Sequence, residues 1–262
     1  MPIGPARMPF LSHLGELRKR LAVIVFTLAI TTVVMYFFTP QIVTLLLRPV
    51  QPFLPSGGKL VFLEPLEAFS VRFVLGFWAS LFISSPIWIW QLMAFMLPAL
   101  KPNERKFVVP TFLAVVVLFI GGAIFCYFFV LKYSFPWLIQ QGGGAMTYLP
   151  RAGDIIQVLE FFLLAFGIAF QTPVVVFYLV FFGIVPYQKL RHSWRTVYLI
   201  IAVISAGATP DWAPQTMISL AAAMIILWEG SMLACSVVLR SRIKRMAREK
   251  SGEDTPGMEA VT

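Results

Sequence analysis

The chemistry open to this chain is that of isolated polar groups, because its residues form no recognisable catalytic constellation. His13 and His192 have no HExxH context, and there is no GxSxG, GxxxxGK[ST] or GxGxxG pattern. Hydrolytic, phosphoryl-transfer and dinucleotide chemistry usually leave those signatures. Cys126 and Cys235 stand singly in apolar runs and read as small buried hydrophobes, not as redox groups or metal ligands. The sequence therefore predicts no enzyme, no cofactor and no metal. Without a P-loop, energy has to come from a partner or from the membrane potential.

What remains is a small set of acids, amides and cations in unusual surroundings. Glu16 is the only acid in the basic segment Phe10–Leu21, with Arg20 four residues on. An i,i+4 pair of that kind contributes ~0.3–0.5 kcal/mol. Asn103 and Glu104, just before Arg105, fit the cap and first turn of a helix. Glu67 precedes a long apolar run and suits a capping role there. Gln171 and Glu229 interrupt apolar runs, where polar groups are costly and face protein or a cavity. An amide such as Gln171 can bond a neighbouring helix for ~1 kcal/mol. Asp211 lies in the tight Ala208-Thr-Pro-Asp-Trp212 turn, where turn chemistry is its ordinary role.

The elements that hold these groups are long apolar helices. The chain is 59% hydrophobic and 13% charged, with a mean hydropathy of +0.83. Soluble domains are ~45–50% apolar and ~25% charged, so lipid is the natural solvent for this surface. Apolar runs cover about residues 21–38, 69–97, 107–131, 155–184, 196–208 and 214–239. The first is too long for a signal-peptide core, and no A-x-A-like site follows it. Phe10, Leu14, Leu17 and Leu21 share one helical face, an amphipathic lead-in to that span. The fifth run has only 15 residues between Arg195 and Asp211, or ~22 Å of helix. It pairs with the sixth as a short hairpin in thinned bilayer, a re-entrant loop being the alternative. Pro86 and Pro173 predict bends in the second and fourth helices, whereas Pro110 falls early enough in the third to be tolerated.

The fold class expected is thus an all-α integral membrane protein with six transmembrane helices, the fifth and sixth short. Residues 1–250 form a single transmembrane domain and 251–262 a disordered tail. Sixteen of the 21 Lys/Arg fall in residues 1–20, 98–106, 185–195 and 239–262. That bias puts both termini in the cytoplasm. It also accounts for the net charge of +9 without nucleic acid, since the basic groups lie between apolar runs and face anionic lipid.

Five motifs, in order, resemble the TatC family of twin-arginine protein translocation. His13-Leu-Gly-Glu-Leu-Arg18 is similar to its HLxELR motif, and Pro65-Leu-Glu-Ala-Phe69 to its outer PxEAF segment. Gln91-Leu-Met-Ala-Phe-Met-Leu-Pro-Ala-Leu100 with Glu104-Arg105 resembles the region joining its second and third helices. Phe170-Gln171-Thr172-Pro173 resembles its F-[E/Q]-x-P, and Thr209-Pro-Asp211 with Gln215 its last outer turn. At Gln171 many members have glutamate.

The resemblance implies a concave, glove-like bundle of six helices in a bacterial inner membrane, with a thylakoid membrane as the other possibility. It implies a non-enzymatic receptor for signal peptides with paired arginines. That receptor would recruit single-span TatA and TatB type partners, assemble with further copies of itself, and export folded proteins on the proton motive force. By match, Glu16 and Glu104 would contact the arginines. Arg18, Phe95, Pro49, Asp211 and Gln215 fall on functionally sensitive positions, with Glu67 and Arg105 as further candidates and Gln171 and Glu229 as intramembrane polar groups toward partners. Guanidinium suits such acids because its planar fork meets carboxylate bidentately, which lysine does not match. The competing class is a small-solute transporter, which requires a midplane site and internal repeats. No repeat is found here.

Overall fold

The computed structural model describes residues 10–54, 60–97, 105–140, 151–209 and 213–238. Glu104, Asp211, Asn103 and the tail after Ser251 lie outside the described residues. Eleven α-helices carry the fold among the described residues: α1 (Phe10–Phe37), α2 (Thr39–Leu47), α3 (Glu67–Ile83), α4 (Ser85–Met96), α5 (Val108–Phe125), α6 (Leu131–Gln140), α7 (Ala152–Ala169), α8 (Thr172–Phe181), α9 (Tyr187–His192), α10 (Trp194–Ala208) and α11 (Pro214–Val238).

Four stretches are long and apolar enough to cross a membrane: Leu14–Phe37, Val108–Ile139, Ala152–Phe181 and Pro214–Val238. The α3–α4 pair makes a fifth if its two halves, bent by 58°, count as one span. α10 is a shorter apolar helix of 15 residues, as its bracketing charges predict, but α11, expected to be short as well, runs 25 residues because its helix continues through Glu229. Large apolar side chains point outward along these helices; Val33 is 60% exposed, Phe128 61% and Ile226 71%. Such a surface requires hydrocarbon around it, and the chain is a multi-pass membrane protein.

The breaks follow the prolines. Ser84 closes α3 on Ser80 by backbone and hydroxyl hydrogen bonds, and Pro86 occupies the first turn of α4. A missing N–H costs little there. Pro173 likewise opens α8, after a break at Phe170–Gln171, and Pro110 is absorbed in the first turn of α5. The third helix runs further than its apolar run suggests. A π turn, Cys126–Val130, passes it into α6, so residues to Gln140 are helical, beyond the apolar run that ends at residue 131. Lys132 and Tyr133 face outward while Ser134 and Phe135 are buried, a helical alternation that a purely apolar run does not contain.

Close helix crossings rest on small residues, as lipid-embedded packing requires. A Cβ on Gly122 of α5 would sit 2.5 Å from the Phe166 carbonyl oxygen of α7. Gly76 of α3 lets the α1 backbone at Thr32 and Tyr36 approach to within 3.3–3.4 Å of its Cβ position. Thr32 and Ser80 join hydroxyls across that same seam at 3.0 Å. Around α7, Leu159, Phe162 and Phe166 recur on one face and are fully buried with Trp228 and Met232 of α11.

Candidate functional site

The bend between α3 and α4 turns α4 across the first half of α1 and brings Gln91 to Glu16. One guanidinium joins them. Arg20 donates from Nε to Glu16 Oε1 at 3.0 Å, again to Oε1 from Nη2, and from Nη1 to Gln91 Oε1 at 3.3 Å. Glu16 Oε2 has no partner among the described residues. That oxygen is buried, so the carboxylate holds a guanidinium against an amide from another helix through Oε1 alone. Phe95, half-buried, lies one helical turn beyond Gln91 on α4, and Arg18 is exposed on α1. Arg105 is exposed in the turn that leads into α5.

At the opposite end of α3, Glu67 is fully engaged. Its Oε1 accepts from Arg151 Nε at 2.9 Å and from the Gly153 amide at 3.2 Å, and its Oε2 from the Leu63 amide at 2.8 Å. Its side chain is 6% exposed. No first-turn amide of α3 is capped by it; the expected helix cap is instead a staple from α3 to the start of α7. The Ala152 amide adds a bond to the Val61 carbonyl at 3.0 Å. The hydrogen bond and charge of Glu67 push the Arg151 guanidinium above its ordinary value.

The two intramembrane polar candidates are likewise paired within the chain. Glu229 of α11 accepts from Arg191 of α9 at 2.6 Å and from the Tyr198 hydroxyl of α10 at 2.8 Å, tying three helices together. Gln171 donates to the Val115 carbonyl of α5 at 3.2 Å and to the Gly167 carbonyl at 3.4 Å. Its Oε1 is buried without a partner among the described residues. Pro49 is half-buried in the turn after α2, and Gln215 is exposed in the first turn of α11. Neither belongs to the Glu16 group.

Three residues escaped the sequence. Gln91 carries no signal beyond its place in a motif, and Arg151 none beyond being a cation outside the basic segments. Glu160, buried in α7 with both oxygens unpartnered among the described residues, was legible as an acid inside an apolar run, which is expensive and seldom without purpose.

These features define a class: a polytopic helical membrane protein whose chemistry is the holding of charged and polar groups. The TatC family profile, Sec-independent protein translocase protein, matches residues 12–222. The chain is 31% identical over 254 residues to the Sec-independent protein translocase protein TatC of Deinococcus radiodurans, covering 96% of this chain and 92% of that one. With the TatC of Koribacter versatilis identity is 33% over 253 residues, 94% and 92% of the two chains. The fold is similar to a crystal structure of the twin arginine translocase receptor TatC, with a TM-score of 0.70 and 28% identity over 84% of this chain and 96% of that one. The same receptor crystallised in DDM gives 0.72 and 27%, over 85% and 98%. The chain belongs to the TatC family and is a component of a Sec-independent protein translocase.

Proposed function

We propose that this chain is the receptor subunit of a twin-arginine translocase, binding paired-arginine signal peptides at its cytoplasmic face through Glu16 and Glu104. The observation that carries this is the Arg20 guanidinium seated between Glu16 and Gln91. It supports the reading because that carboxylate is already positioned for the group a signal peptide would bring. Charge-assisted bonds of this type contribute ~1.5–3 kcal/mol each, against ~0.3–0.5 kcal/mol for an i,i+4 pair along one helix. An incoming arginine pair therefore has the advantage over Arg20. Phe95, on the same face of α4 as Gln91, would pack against the peptide, and Arg18 and Arg105 would line its path.

The same reading includes six spans with cytoplasmic termini in a bacterial inner membrane, export on the proton motive force, and recruitment of TatA and TatB type single-span proteins. The short α10 supports the six-span count. A polar contact of Gln171 with a partner helix belongs to the same reading; cross-links from position 171 landing only on lipid would refute it. The central test is binding of a twin-arginine peptide to the full chain in nanodiscs. Glu16→Ala with Glu104→Ala should abolish binding, and a Lys-Lys peptide should bind more weakly to the unaltered chain. Full binding by the double variant would overturn the assignment.

A further inference from the structure

A second polar site lies inside the α3–α7 seam. A cavity of about 390 Å³ runs between these helices from Glu67, Arg151 and Asp154 at one end to Trp78, Gln157 and Glu160. Glu160 is nine residues into the helix that starts beside Arg151, ~13 Å along the axis. At that depth the surroundings are hydrocarbon and buried protein. Glu160 is 3% exposed, and neither carboxyl oxygen has a partner among the described residues.

Among the described residues, the helices packed on α7 offer it no counter-ion. α2 and α5 contain no ionisable side chain, and α3 contains only Glu67, joined to Arg151, and Arg72, which is exposed. The π turn brings Cys126 and Tyr127, the latter bonded to the Leu45 carbonyl. α11 brings Cys235 and Glu229, the latter held by Arg191 and Tyr198. On α7 itself the other acid is Asp154, at the cavity's mouth.

An unpaired carboxylate in such a place is far costlier than a neutral carboxyl, which needs only one donor and one acceptor. The cavity has room for several waters, and although most of its lining is apolar, Ser70, Asp154 and Gln157 give water polar partners along it. We propose that Glu160 is a proton-binding site, a neutral carboxyl that exchanges its proton with water entering the α3–α7 cavity from the Glu67–Arg151 end. The ligand is the proton, and the carrier on the solution side is water. Loss of the proton would leave a charge that the seam cannot hold, so release must draw in water or shift α3 against α7. This goes beyond the receptor reading and stands without it, because it depends on no signal peptide.

The test uses the full chain in lipid nanodiscs. The hydrophobic reagent dicyclohexylcarbodiimide adds to protonated carboxyls, giving an N-acylurea with no leaving group. It should modify Glu160 at neutral pH, and mass mapping should show that adduct lost in Glu160→Gln. Infrared difference spectra should show a protonated carboxyl band that shifts in D2O and is absent from Glu160→Gln. For sidedness, Gln157→Cys with Cys126→Ala and Cys235→Ala should react in proteoliposomes with a membrane-impermeant maleimide from one face only. An ionised carboxylate signal from Glu160 in the folded chain overturns the proposal. So does a thiol at position 157 that is unreactive from both faces, or equally reactive from both.

Discussion

Glu16 and Glu67 each hold an arginine, yet the two carboxylates are built differently. Glu67 is buried and saturated: two backbone amides and one guanidinium from two distant parts of the chain converge on it. Its removal would leave those donors without an acceptor, the costly way to break a polar contact. Glu16 is about one quarter exposed, and both of its close hydrogen bonds come from an arginine one turn away on its own helix. It spans no long loop, and one oxygen has no partner among the described residues. An acid with several fixed donors serves the fold, whereas an acid held by one exchangeable donor on its own helix is available to a ligand.

The largest effect should come from testing that availability. Glu16→Gln keeps the size and the hydrogen bond to Arg20 but removes the charge that favours guanidinium. Twin-arginine peptide affinity, measured by fluorescence titration in nanodiscs, should fall about tenfold to a hundredfold, the equivalent of one charge-assisted bond. The thermal midpoint of the chain should stay nearly constant. A large loss of stability with unchanged affinity would reverse the roles assigned to the two acids.

Glu67→Gln sharpens the contrast from the other side. The amide turns an NH2 toward groups that donate, so one of the three bonds is lost and the loop–α7 junction loosens. The thermal midpoint in detergent should drop by more than it does for Glu16→Gln, while peptide affinity stays within about twofold, the scatter expected of an uncoupled site. Arg151→Met should reproduce the loss of stability. Combined with Glu67→Gln it should add little, because both act on one junction.

This difference between the acids was only partly legible in the sequence. Helix content, the long apolar helices, the short fifth run, the bend at Pro86 and the break before Pro173 follow from hydropathy and backbone sterics, which are local. The Glu16–Arg20 pair was legible for the same reason, since i,i+4 spacing fixes it. Gln91 was not, because its approach to Arg20 depends on the 58° turn at Ser84–Pro86. Glu67 looked like a helix cap because its neighbours in sequence are a helix start. Two of its three partners are 84 and 86 residues away. Glu229, placed in the membrane by its apolar run, meets Arg191 from across the α9–α10 break. Residue pattern finds pairs along one helix and misses pairs that exist only after helices pack.

Arg20 supplies the finest discrimination. If it merely occupies the seat a ligand guanidinium takes, Arg20→Ala frees Glu16 Oε1 and Gln91 Oε1 together. The competing pair is worth only ~0.3–0.5 kcal/mol, so peptide affinity should rise by about twofold. Arg20→Lys should give a smaller rise, because lysine keeps the charge but cannot span Glu16 and Gln91 with a planar fork. A tenfold loss in Arg20→Ala would mean that Arg20 fixes the carboxylate for the ligand. Glu16 would then depend on its arginine as Glu67 depends on Arg151, and the distinction between the two acids would rest on burial alone.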